Sequence, residues 1–241
     1  MLKIQNEIDL PPLGPGWAGA VMGLGISSTL IDVHVTPLLG PAPSKAMLGA
    51  ATILAISLVF GFLKHHNPGF YAADMPAWGM VSMGILSLGS AYSLIYDAWS
   101  VHTLCWAIGT VLGAVTCIRF LMFLICGHPP APAFTWGLPL VAPMVAATSS
   151  AQLAPHAGEW GSIVHSIGVI SFALAWLTAV PTFAFVYLRT IPKVPTSFAT
   201  TAWIPLGLVG QSTAGAAATN FAVAALSLIH ISEPTRPERI S

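Results

Sequence analysis

Few side chains in this sequence are equipped for chemistry, and their spacing decides what chemistry is open to them. Asp32 and His34 stand two residues apart near the end of an apolar run. An ionisable group there is a functional candidate by default, and a histidine beside it would make the pair sensitive to pH. His156, Glu159 and His165 have the donor types of a metal site, but their spacing matches no zinc signature and the H-E-x-x-H arrangement is missing. Lys64-His65-His66-Asn67-Pro68 reads as a basic loop ending in a turn rather than as a phosphate or metal patch. Cys105, Cys117 and Cys126 lie in or beside one apolar stretch, with neither a disulfide framework nor zinc spacing. No catalytic residue, metal ligand or cofactor is expected. What remains is a set of small residues and prolines inside apolar runs: Gly23, Gly25, Gly84, Gly207, Gly210 and Gln211, with Pro139 and Pro143. Glycine there either lets helices pack closely or leaves backbone lining a cavity. Each proline removes a backbone donor, so it kinks its helix, and the freed carbonyls either face a cavity or are satisfied by neighbouring helices.

The elements that must position these residues follow from composition. The chain has 241 residues, 55% hydrophobic and 7% charged, with a mean hydropathy of +0.79, whereas an ordinary soluble domain is roughly a quarter charged. Eight basic and eight acidic side chains cannot solvate a soluble globule of this size, and a net charge of +0 offers nucleic acid no electrostatic footprint. The class is an all-α polytopic membrane protein whose solvent is the lipid bilayer. Crossing about 30 Å of hydrocarbon takes about 20 helical residues. Seven stretches qualify: Gly14 to about Val35, Ala46–Leu63, Met75–Tyr96, Thr103–Cys126, roughly Phe134–Leu153, Gly161–Leu188 and Thr200–Ala225. None alternates with the period of an outer-membrane barrel strand. Residues 1–13 form a short leader of mixed charge without a cleavage site. Placing the N-terminus inside puts Lys3, Lys64, Arg189 and Lys193 on the cytoplasmic side and leaves only Lys45 opposite, which fits the positive-inside bias.

Alternate stretches repeat. The first opens Pro15-Gly-Trp17 and reaches Met22-Gly23; the third opens Pro76-Ala-Trp78 and reaches Met83-Gly84, so both read P-x-W-x4-M-G. Trp136 and Trp203 hold the same place in the fifth and seventh, and each is followed by small residues and proline. Tryptophan at a helix start suits the membrane interface. The second stretch is uniformly bulky and aliphatic. The pattern predicts an inner ring of small-residue odd helices shielded from lipid by an outer ring of even ones.

Leu13-Gly14-Pro15-Gly16-Trp17-Ala-Gly-Ala-Val-Met22-Gly23-Leu-Gly25-Ile26 resembles the opening helix of the tellurite-resistance/dicarboxylate transporter family, to which plant slow-type anion channels are related, and Trp203-Ile-Pro205-Leu-Gly207-Leu-Val-Gly210-Gln211 is similar to its seventh helix. The resemblance covers roughly residues 11–225. It implies ten helices in five hairpins, with the five inner helices around a pore, a gating phenylalanine on the ninth helix, and homotrimers in a cell membrane. Small anions would cross: a dicarboxylate such as malate, sulfite, or monovalent ions, through a channel or a secondary transporter. Gly23, Gly25, Gly84, Pro139, Pro143, Gly207, Gly210 and Gln211 would then be the pore-lining candidates, with Asp32 and His34 as ionisable modulators.

Only seven of the ten helices are present, so no phenylalanine here inherits the gate. Leu226–Arg236 reads LSLIHISEPTR and resembles the in-frame translation of a sequencing-library adapter. The expectation is a transmembrane domain over 14–225, incomplete as recorded, and a non-native tail over 226–241. A competing reading, a haem- or quinone-binding membrane subunit of a redox complex, draws on His34, His102 and His165, but no stretch holds two histidines one span apart. An intramembrane hydrolase lacks both nucleophile elbow and metal motif.

Overall fold

The computed structural model describes residues 14–64, 69, 75–127, 132–190 and 204–218. Every element among them is helical. The helices are α1 (Ala18–His34), the short α2 (Thr36–Leu39), α3 (Ala42–Lys64), α4 (Trp78–Tyr96), α5 (Trp99–Cys126), α6 (Gly137–Leu153), α7 (Gly161–Thr190) and α8 (Ile204–Ala218). Five segments are long and apolar enough to cross a membrane: Pro15–His34, Ala42–Lys64, Met75–Tyr96, Trp99–Cys126 and Gly158–Arg189. α6 and α8 occupy the places expected for the fifth and seventh spans but are shorter, at 17 and 15 residues. At about 1.5 Å per residue α6 covers about 25 Å, and 3-10 turns at Phe134–Trp136 and Ala154–His156 extend its path at both ends. Trp203, His65, His66, Asn67, Pro68, Lys3, Lys193, the leader and the 226–241 tail lie outside the described residues.

The sequence repeat has a structural counterpart. α1, α4 and α6 each start through a 3-10 turn, at Pro15–Trp17, Met75–Ala77 and Phe134–Trp136, with the repeated tryptophan closing the turn or directly following it. Proline suits such a start, because the first N–H groups of a helix have no intrahelical partner to lose. These repeat helices pack in the order α1, α4, α6, α8, and the others pack against them: α3 on α1 and α4, α5 on α4 and α6, and α7 on α6.

Along α5, small residues gather on the inward face and bulky aliphatic chains on the outward one. α5 turns Gly109, Gly113, Thr116, Cys117 and Phe120 inward. Its exposed face carries Leu104, Ile108, Val111, Val115, Ile118, Met122 and Ile125, at alternating steps of four and three. α3 likewise exposes Ile53, Ile56, Val59, Phe60 and Leu63. Lipid solvates those chains as well as protein does, so association comes from close packing and hydrogen bonds between helices. Both are present: Ser82 donates to the Gly109 carbonyl at 2.7 Å, Trp106 Nε1 donates to Ser150 Oγ at 2.7 Å, and the Thr52 and Tyr92 hydroxyls pair at 2.9 Å. α6 is the centre of the bundle, with thirteen of its seventeen residues buried.

Candidate functional site

The small-residue candidates divide into two groups once the helices are assembled. Gly25 and Gly84 lie in helix contacts: a Cβ on Gly25 would come within 3.2 Å of Ser87 Oγ, and one on Gly84 would lie 3.0 Å from the Ala18 carbonyl oxygen. Gly84 also lines an apolar hollow of about 210 Å³ between α1, α3 and α4, walled by Val21, Leu58, Phe62, Trp78 and Ile85. That hollow offers an anion no donor. Gly23, Gly207 and Gly210 behave differently, because a Cβ on any of them would meet no described atom within 4 Å. All three are exposed. Gly207 and Gly210 sit one turn apart on α8, and Gln211 follows.

Gln211 is tied to α6. The Thr148 hydroxyl lies 2.9 Å from the Val145 carbonyl and 3.1 Å from Gln211 Oε1, so its single proton serves one acceptor or the other. With its oxygen turned to Thr148, the Gln211 carboxamide leaves two N–H donors that no described residue takes up. Donors of this kind beside open backbone can coordinate an anion without carrying a charge.

The two prolines have unequal effects. Pro139 falls in the first turn of α6, where its missing N–H costs no intrahelical bond, so the kink expected there does not arise from it. Pro143 is the interior proline, and it withholds a donor from the carbonyl four residues back, that of Pro139. Both rings are buried within the bundle.

Asp32 and His34 do not form a pair. Two positions along a helix is about 200° of rotation, and residues so spaced do not face each other. Asp32 instead joins the end of α1 to the start of α3: its Oδ1 accepts from Ser44 Oγ at 2.8 Å and from Thr36 Oγ1 at 3.3 Å. His34 is exposed. Asp32→Ala is therefore expected to lower stability by about 1.5–3 kcal/mol, the scale of hydrogen bonds to a charged acceptor, while His34→Gln changes it by less than about 0.5 kcal/mol. Thermal melts of the two variants in detergent check this, and equal melting temperatures would reject the assignment.

His156, Glu159 and His165 are not gathered either. His156 stacks on Trp99 with ring centroids 3.4 Å apart, Glu159 is exposed in a 3-10 turn, and His165 lies along α7. Among the described residues no group of three such side chains could hold a metal ion. The polar cluster that composition and spacing did not single out surrounds His102, which is fully buried. Its Nδ1 lies 2.9 Å from Ser93 Oγ and its Nε2 2.8 Å from Ser149 Oγ. With both nitrogens engaged, His102 has none left for a haem iron. The available signal was Ser90, Ser93 and the Thr148-Ser149-Ser150 run inside apolar stretches, since hydroxyls at that depth need partners on other helices.

No curated protein and no solved structure matches the chain. A family model does: that of the voltage-dependent anion channel, SLAC1, matches residues 12–235 and so takes in every described helix. Its compass agrees with the motifs of the first and seventh stretches and with a membrane bundle built on small-residue helices. On that match the chain belongs to the SLAC1 family of voltage-dependent anion channels.

Proposed function

We propose that the chain forms a passive channel for small monovalent anions, which move along the face of the inner helices that carries Gly23, Gly207, Gly210 and Gln211. The observation carrying this reading is the charge content of those helices. α1, α4, α6 and α8 contain no lysine and no arginine, and Asp32 is their one acid. A dicarboxylate, or sulfite as its dianion, would shed water there with no opposite charge to receive it, and desolvation penalties rise steeply with charge. A monovalent ion asks less, and amide donors, hydroxyls and backbone dipoles can supply it. Gly25 and Gly84 serve this path indirectly, by holding α1 against α4.

In the same reading the bundle spans the cell membrane seven times over 14–225 with its N-terminus inside. Lys64 and Arg189 then end α3 and α7 on the cytoplasmic face and Lys45 begins α3 on the other, where its ammonium sits 5.3 Å from the Tyr96 ring centroid. Assembly as a homotrimer is part of the proposal and is checked by cross-linking in native membranes.

Uptake into proteoliposomes tests the substrate. Chloride and nitrate are expected to enter at least about tenfold faster than sulfate or malate, a barrier difference of about 1.4 kcal/mol, and without a proton gradient. Malate uptake that equals chloride uptake, or that requires the gradient, would replace the channel with a dicarboxylate carrier.

A further inference from the structure

The hydrogen bonds around His102 favour one position for its proton. Ser93 Oγ lies 2.9 Å from the Ser90 carbonyl; with its single proton given there, it can only accept from the imidazole. In that arrangement Nδ1 carries the hydrogen. Gln152 Nε2 donates to the same Ser93 oxygen at 3.3 Å. The bare Nε2 then accepts from Ser149 Oγ, with Ser90 Oγ behind it at 3.4 Å. This neutral tautomer satisfies both nitrogens and keeps the Ser93–Ser90 bond, whereas the other requires Ser93 to turn its proton from the Ser90 carbonyl to Nδ1. The Trp99 ring stacks on His102 at 5.9 Å between centroids and on His156 at 3.4 Å.

The partners of this cluster converge on four residues of α6 within one five-residue stretch. Ser149 donates to His102 of α5, Ser150 accepts from Trp106 of α5, and Gln152 reaches Ser93 of α4. Thr148 reaches Gln211 of α8. Thr148 and Ser149 are adjacent, so the rotation of α6 that seats Ser149 on the imidazole also aims Thr148 at Gln211.

We propose that His102, held as the neutral Nδ1–H tautomer, is a positioning residue for anion passage: by seating Ser149 it sets the rotation of α6 and thereby the Thr148–Gln211 contact. The proposal rests on the channel reading above. Conservative variants separate its two bonds. His102→Gln extends a carboxamide oxygen to the place of Nε2 and keeps the Ser149 bond. His102→Asn keeps a donor at the place of Nδ1 but falls short of Ser149.

The test uses the full chain in lipid vesicles, with ¹⁵N-histidine labelling for spectroscopy and uptake of chloride and nitrate as the functional readout. One imidazole signal, lost in both variants, should show a protonated Nδ1 and a bare Nε2. His102→Asn should change the chloride-to-nitrate uptake ratio by at least about threefold, the scale of couplings between packed sites, and His102→Gln should retain the wild-type ratio. A protonated Nε2 at His102 overturns the proposal. So does a His102→Asn variant that slows both anions equally, because a purely structural role predicts that result. If the wild-type chain takes up neither anion, the channel reading fails first and the proposal with it; wild-type uptake with an unchanged ratio in both variants refutes the positioning role alone.

Discussion

Gly79→Ala should melt well below the wild type, although alanine is the better helix former. An ideal Cβ at Gly79 would lie 2.5 Å from the Leu138 carbonyl oxygen, 2.6 Å from its carbon and 2.7 Å from the Pro139 nitrogen. All three are backbone atoms in the first turn of α6, and Pro139 is itself fully buried, so no side chain can swing aside. The two helices must separate locally or the backbone must distort. Overpacking of that kind costs about 3 kcal/mol at the upper end of its usual range, against about 1 kcal/mol gained from helix propensity. The net expectation is a loss of about 2 kcal/mol. Gly207→Ala is the control: with open space around its Cβ, only the propensity term applies and its melting temperature should hold or rise. Thermal unfolding of both in one detergent decides the matter, and a Gly79→Ala protein as stable as wild type would contradict so close an approach of α4 and α6.

The second large effect concerns flux. Gly207 and Gly210, three residues apart on α8, share one face. Replacing both with leucine fills the space their missing side chains leave and turns that wall apolar. A narrow apolar constriction sheds water and bars ions, so chloride uptake should fall at least about tenfold, the effect of about 1.4 kcal/mol on a barrier. Folding should be spared, because nothing described lies in the way. Gly49→Leu on α3 distinguishes pore from lipid: its Cβ also meets nothing within 4 Å, but α3 lies off the proposed path, and leucine there should leave uptake unchanged. Equal losses from the α3 and α8 substitutions, or normal uptake through the doubly substituted α8, would rule out this face as the path.

The sequence was sufficient for the all-α membrane class, for five of the expected spans and for the repeated helix starts at Trp17, Trp78 and Trp136, because these depend on long-range averages of hydropathy and on helix-start chemistry that local residues carry. The P-x-W signature became a 3-10 turn before the helix at Pro15–Trp17 and again ahead of Trp78. The SLAC1 family was legible from the first and seventh stretches for a similar reason, since both are runs of small residues in a fixed order. Roles of individual residues were not legible. Gly25 and Gly23 are two positions apart and alike in composition, yet one abuts Ser87 and the other meets open space. Gly79, where α4 meets the backbone of α6, had no mark in the sequence beyond being a glycine.

The physical reason is that hydrocarbon removes the contrast on which sequence patterns depend. In water, a helix shows which side is buried through the polarity of its residues. In a bilayer both sides are apolar, and α5 points its largest aliphatic chains outward to lipid and its glycines inward. Which small residue touches a neighbour is then settled by crossing geometry, and that is a property of the pair of helices. His102 illustrates the same limit for polar groups. Its partners stand 9 and 47 residues away, so a histidine that looked solitary in an apolar stretch acquired its tautomer, and its hold on α6, only when three helices closed around it.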